Sequence, residues 1–310
     1  MQLQFITTPE QHQIAYAVIG SIDKTPILFL HGGPGSDSHP EHAKLFNPDK
    51  HYVVMFDQRG CGRSTPSGDI EHNTTQYLIN DIEQLRLTLN INCWKVYGGS
   101  WGATLALEYA KQYPAHVISI ILRGSFAARK QDLDWFIQPD GIAQQHPENY
   151  QKLCRQLIPA AGQPLTSRLY ELLINRNEER AYQAALSWDH WEATVMDVPV
   201  PKEESDPKQR LQRINNKRVY AHYCHHQFFI GEDGVLPGLD KLRDIPVTLI
   251  HGRHDPVCPL SAAETLAEAL PKAELIVAKA GHGLHEAAIR EALILHNAGS
   301  DRTPPAIPLY

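Results

Sequence analysis

The sequence predicts an α/β fold: a mostly parallel, doubly wound sheet with a helical cap inserted late in the strand series. Three observations predict it. Near-continuous apolar runs recur along the chain, each closed by glycine or turn residues, as suits strands buried on both faces of a parallel sheet. Helical spacing lies between several of them. Strand-like runs then disappear between about residues 125 and 243 and resume afterwards.

The elements follow in order. The first 25 residues read as an antiparallel hairpin on the sheet edge. The strand runs are "PILFLHGG" (26–33), "YVVMFDQ" (52–58), "WKVYGG" (94–99), "VISIILRG" (117–124), "VTLIHGR" (247–253) and "ELIVAKAG" (274–281). Within "TTQYLINDIEQLRLTLNI" apolar residues stand at 78, 82, 85 and 89, the three-to-four spacing of a helix. The core is therefore assigned to 1–124 and 244–310, and the cap to 125–243. The cap segment carries Trp135, Trp188 and Trp191 and helical stretches such as "AYQAALSWDHWEATVM", and "DVPVPKEESDPKQR" (197–210) reads as a proline-rich loop within it. The final "GSDRTPPAIPLY" reads as a loose tail.

Composition excludes several classes. A net charge of −6 offers no basic footprint for nucleic acid. No apolar run approaches the ~20 residues of a membrane span. "MQLQFITTPEQHQ" has neither a basic start nor an apolar stretch, so it does not read as a signal peptide. Cys61, Cys93, Cys154, Cys224 and Cys258 are odd in number and scattered, which points to reduced thiols in a cytoplasm. "HYCHH" (222–226) matches no standard zinc spacing and reads as a polar helix face with some members facing a pocket, so no metal is expected.

The chemistry concentrates at "GGSWG" (98–102), which fits G-x-S-x-G between an apolar run and a helical one. A chain that leaves a strand and enters a helix this abruptly projects the apex residue outward. It also needs small residues two places to either side. Ser100 is the expected nucleophile. A serine hydroxyl needs a base, and in this arrangement the partners follow in the order serine, acid, histidine. Asp255 and His282 each stand just past a strand, where catalytic groups of parallel sheets gather. His282 would take the Ser100 proton and Asp255 would orient the imidazole. His254, His285 and Asp301 compete for these roles, with His285 expected in the following helix. "HGGPG" (31–35) would supply an oxyanion hole from the N–H of Gly33, together with the N–H of Trp101.

These motifs resemble the proline iminopeptidases, serine peptidases of the α/β-hydrolase fold that remove an N-terminal proline. The resemblance rests on "HGGPG", "DQRGCGRS" (57–64), "NTTQYLINDIEQLR" (73–86), "GGSWGATLAL" (98–107), "LDWFIQPDG" (133–141), "WDHWE" (188–192) and "HGRHDPVCPL" (251–260). It implies a helical cap that closes the pocket, a cytoplasmic exopeptidase without cofactor, a peptide or small-molecule substrate, and the same three catalytic residues.

The resemblance also implies two cap glutamates that hold the substrate's charged imino group, since a buried charge needs a partner. From the residues alone Glu192 reads as a solvated helix position; the resemblance makes it the first of these glutamates. The second falls in a family stretch like R-I-E-N-H-Y, which here is "RVYAHY" (218–223), so Tyr220 stands in its place. A phenol supplies a hydrogen bond and almost no charge at pH 7. His146 stands where the family tends to have an aromatic residue. Trp135 and Phe136 are carried over as further substrate-binding candidates. Cys258 is carried over as a thiol near the pocket whose modification would slow the enzyme. Two alternatives stay open: an esterase or other acyl hydrolase with a re-tuned cap, and a binding relative without catalysis. An aspartate nucleophile is excluded by Ser100.

Overall fold

A computed structural model of the chain describes residues 2–299. The expected tail, apart from its first glycine, lies outside the described residues, and so does Asp301. The apolar runs form the predicted strands: β1 (Leu3–Thr7), β2 (Gln13–Ile19), β3 (Thr25–Leu30), β4 (His51–Phe56), β5 (Trp94–Gly99), β6 (Val117–Arg123), β7 (Val247–Gly252) and β8 (Ala273–Ala278). They build one sheet in the order β1-β2-β4-β3-β5-β6-β7-β8. β1 and β2 pair antiparallel, as does β2 with β4, and every other pairing is parallel.

Alternate residues of the central strands enter opposite apolar layers, the two-residue period of a sheet covered on both faces. Leu28, Leu30, Val54, Phe56 and Val96 pack with helices α1 (Thr75–Thr88) and α2 (Trp101–Gln112). Ile27, Phe29, Val53, Met55 and Tyr97 pack on the other side with Ile289 and Leu293. These two residues belong to the C-terminal helix of the described chain, Ala287–Gly299. The expected spacing in α1 is realised: Leu78, Ile82 and Leu85 are buried.

Between β6 and β7 the chain is helical: α3 (Lys130–Ile137), α4 (Pro147–Leu157), α5 (Leu165–Leu173), α6 (Glu178–Val195) and α7 (Pro207–His225). α8 (Leu260–Ala269) follows β7, and Ala287–Gly299 is α9. α3 to α7 have their own apolar cluster around Phe136, Leu169, Trp188 and Trp191. The chain's return toward β7 does not belong to that cluster. Phe228, Val235, Leu239 and Leu242 pack with α2 beneath the sheet.

The loop expected to reach residue 210 stops at Asp206, whose side chain caps α7 by accepting the Lys208 N–H at 3.0 Å, with Pro207 in the first helical turn. None of the "HYCHH" residues lines the large cavity. His222 and Cys224 are buried, while His225 stacks on Tyr170 (4.7 Å) and His226 on Phe229 (4.9 Å). Among the described residues no cluster of three or more acid, histidine or cysteine side chains is arranged to hold a metal ion. No described helix is long and apolar enough to cross a membrane.

Candidate active site

The strand order reverses its direction of travel between β3 and β5, and crevices at such switch points collect functional groups. The loop after β3 carries His31–Gly35 and the end of β5 carries Ser100, so both meet at this crevice. Ser100 sits at φ 56°, ψ −123°, a strained conformation for a residue with a side chain. Its N–H donates to Arg123 O (2.9 Å) and its carbonyl accepts from the Ala103 N–H (2.9 Å). A Cβ at Gly98 would lie 2.1 Å from Gly102 O, and one at Gly102 would lie 2.3 Å from Leu30 O. The flanking glycines therefore let α2 start directly against β3 and β5. Gly99 has a different reason: a Cβ there would meet the Arg123 guanidinium at 2.5 Å.

Asp255 and His282 follow β7 and β8 as expected. His282 Nδ1–H donates to Asp255 Oδ2 at 2.7 Å. The other oxygen, Oδ1, accepts the N–H groups of Val257 (2.9 Å) and Cys258 (2.8 Å). Burial alone would raise the Asp255 carboxyl, but His282 and these donors hold it below the usual carboxylate range. Of the described competitors, only His285 lines the cavity. His254 and His285 are exposed, and His285 lies in the turn ahead of α9 rather than within a helix.

Arg123, at the end of β6, is a residue that sequence reasoning missed. Its Nη1 donates to His282 O (2.8 Å) and approaches His282 Nε2 at 3.4 Å. Ser100 Oγ and His282 Nε2 are not hydrogen-bonded to each other here, although both residues line one cavity. A charged residue closing an otherwise apolar strand run, "VISIILRG", is the signal that could have found it.

Gln58 was missed as well. Its N–H donates to His31 Nε2 (3.0 Å), its amide nitrogen to His31 O (2.9 Å), and its Oε1 accepts the Trp101 indole N–H (2.8 Å). His31 Nδ1–H donates to Gly32 O (2.9 Å), which fixes its tautomer. Burial lowers the His31 pKa and keeps the ring neutral. Gln58 thus ties the glycine loop to the helix behind Ser100. Gly33 adopts φ +111° and lines the cavity. The Trp101 N–H is the first of α2, where no intrahelical acceptor exists.

The cavity measures about 820 Å³ and runs from Ser100 to the cap. Phe136, Glu192, Tyr220 and Cys258 line it. Trp135 does not: its indole donates to Pro256 O (2.9 Å) and braces the Asp255 loop. His146 packs edge-on against Trp191 (6.3 Å) in the cap cluster. Cys258 is buried and lines the cavity with Ser100, and burial and Asp255 push its thiol up. Tyr220 packs on Trp188 with ring centres 5.6 Å apart.

Glu192 is not a free anion. Oε1 accepts the Trp188 indole N–H at 3.0 Å, and Oε2 pairs with Lys217 Nζ. Lys217 also reaches Asp189 Oδ1 (2.8 Å), whose Oδ2 meets Arg213 Nε (2.9 Å). Burial raises the Glu192 carboxyl and the Lys217 ammonium opposes it. Burial also works against the ammonium, yet Glu192 and Asp189 hold it above the ordinary lysine range.

Comparison with known proteins agrees with this architecture. Residues 25–288 match the family described as alpha/beta hydrolase fold. A proline iminopeptidase of Arabidopsis thaliana is 38% identical over 292 residues, covering 92% of this chain and 76% of that one. One from Neisseria meningitidis is 35% identical over 290 residues, covering 94% and 93%. One from Xylella fastidiosa is 36% identical over 291 residues, covering 92% of both. Among solved structures, a hydrolase from Pseudomonas aeruginosa superposes with a TM-score of 0.65 at 18% identity, over 96% of this chain and 98% of that one. An esterase from Exiguobacterium antarcticum superposes at 0.61 and 19% identity, over 95% and 99%. At that identity the structures speak for the fold alone, whereas the sequence relatives are close over nearly the whole chain. With its strained serine elbow and helical insert, the chain belongs to the α/β-hydrolase fold and, within it, to the proline iminopeptidase family.

Proposed function

We propose that this chain is a serine exopeptidase that releases an N-terminal proline from peptides through an acyl-enzyme, with Ser100 as nucleophile, His282 as base and Asp255 as the orienting acid. One observation carries the reading: a serine held at positive φ on a strand-to-helix turn shares a cavity with a histidine already oriented by a buried carboxylate. Ser100 Oγ attacks the carbonyl of the first residue and its proton passes to His282 Nε2. The resulting oxyanion takes the N–H groups of Trp101 and Gly33. Collapse expels the amine of the second residue, which collects the proton from His282, and water then repeats the steps on the ester. The contact between base and nucleophile tightens when substrate is in place, as is common for catalytic hydrogen bonds. Phe136 and Tyr220 wall the acyl end. The five unpaired cysteines support a reducing cytoplasm as its place of work.

Ser100→Ala tests the assignment. A serine-directed fluorophosphonate should label the wild-type chain and not the variant, and kcat on proline 4-nitroanilide should fall by about 10⁶-fold, as in other triad enzymes. Wild-type turnover by the variant would remove Ser100 from the chemistry.

A further inference from the structure

An N-terminal amine or imine enters a cavity as a cation, and a cation leaves water only for an anionic partner. The cavity-lining carboxylates are Asp37, Asp132, Asp189 and Glu192. Asp37 is exposed to water. Asp132 is held by the Arg129 guanidinium at 2.9 and 2.7 Å and by the Arg129 backbone N–H at 3.1 Å. Asp189 and Glu192 face the cavity from α6, and α7 presents Arg213 and Lys217 to them. Arg213 also meets Glu204 at 3.3 Å, and each oxygen of Asp189 and Glu192 already has a protein donor. The Lys217 ammonium lies between both carboxylates and 5.6 Å from the centre of the Tyr220 ring, whose face suits a cation.

We infer that Lys217 is a specificity-determining residue: its ammonium fills the seat that a substrate's charged N-terminus would take beside Glu192. The enzyme therefore gains little from a positive charge on the substrate and accepts an uncharged acyl group of the same shape. Tyr220 belongs to this device, because its ring supports Lys217 where a carboxylate would have supported the substrate. The inference rests on the serine-hydrolase reading above and concerns only what the acyl pocket selects.

Two anilides with one leaving group test it: proline 4-nitroanilide and cyclopentanecarboxylic acid 4-nitroanilide, in which CH₂ replaces the charged ring nitrogen. For the wild-type protein the two kcat/KM values should agree within about tenfold, since no charge-assisted bond is gained. Lys217→Met should shift the ratio toward the proline substrate by about 10- to 100-fold, and Lys217→Arg should keep the wild-type ratio. The wild-type ratio needs no variant, so a poorly folded Lys217→Met leaves the test intact. A wild-type preference for the charged substrate above about a hundredfold overturns the inference, and so does an unchanged ratio in a folded Lys217→Met. Both results leave Ser100 labelling untouched. Absence of labelling and of turnover on both anilides would instead fell the hydrolase reading, and the inference with it.

Discussion

Gln58 shows how much one side chain can settle. It holds the glycine loop through His31 and the elbow helix through Trp101, so it links the two segments that carry the proposed oxyanion donors. It is a positioning residue and touches no reacting atom. Gln58→Leu should lower kcat by about 10²-fold, the cost of a displacement of roughly 1 Å at a reacting centre, and leave KM nearly unchanged. Equal losses in KM and kcat would mean the pocket itself has moved. Cys258, the thiol whose modification is expected to slow the enzyme, makes a separate prediction. Reaction with maleimide needs the thiolate, and burial beside Asp255 pushes this thiol up. Mass spectrometry of the folded protein at pH 7 should find Cys93 and Cys154, both partly exposed, alkylated before Cys258. First labelling at Cys258 would show that the cavity admits the reagent and lowers the thiol.

At the scale of elements, the elbow is a packing device. β5 and α2 meet without a linker because Gly98 and Gly102 bring backbone against backbone. An added methyl has nowhere to go, since the obstructing atoms are carbonyl oxygens of β3 and α2 rather than side-chain tips. Gly98→Ala and Gly102→Ala should each cost at least about 1–3 kcal/mol, the usual cost of overpacking, and lower Tm by several degrees. Calorimetry that finds either variant within about one degree of wild type would show that α2 can slide along the sheet. The Ser100 conformation would then need another restraint.

Across the whole molecule, the cap is joined to the core at specific places. Tyr220 and Leu133 pack against both the sheet cluster and the cap cluster. The end of α7 docks on the loop before α1: His222 Nε2–H donates to Asn73 O (2.9 Å) and the Tyr223 hydroxyl to Asn73 Oδ1 (2.8 Å). Burial, aided by His225 and His226, lowers the His222 pKa from 6.5 to about 4. The unfolded chain then binds more protons than the folded one between those values. Stability is complete above about pH 6.5 and is lost as pH falls toward 4. Tm should therefore drop on acidification through this window, and His222→Gln, which keeps a donor but does not titrate, should flatten part of the drop. A variant with the same slope as wild type would shift the effect to His42, which burial also lowers to about 4.

Much of the site was legible in the chain because it is written in contiguous residues. The strand runs, the glycines around Ser100 and the polar residues just past β7 and β8 follow from local backbone requirements: the period of a buried strand, the clearance of a tight turn, the end of a parallel sheet. The partners of long side chains were not legible. Glu192 and Lys217 stand 25 residues apart on two helices, and only the packing of α6 against α7 decides that they meet. Arg123 and His282 are 159 residues apart, Gln58 and Trp101 are 43 apart, and Trp135 finds Pro256 from the cap. The sequence by itself determined the fold and the serine at the strand-to-helix turn. The tertiary structure decided which charges in the pocket are already spoken for, because an ion pair depends on where two helices bring their side chains and not on the pattern of either one.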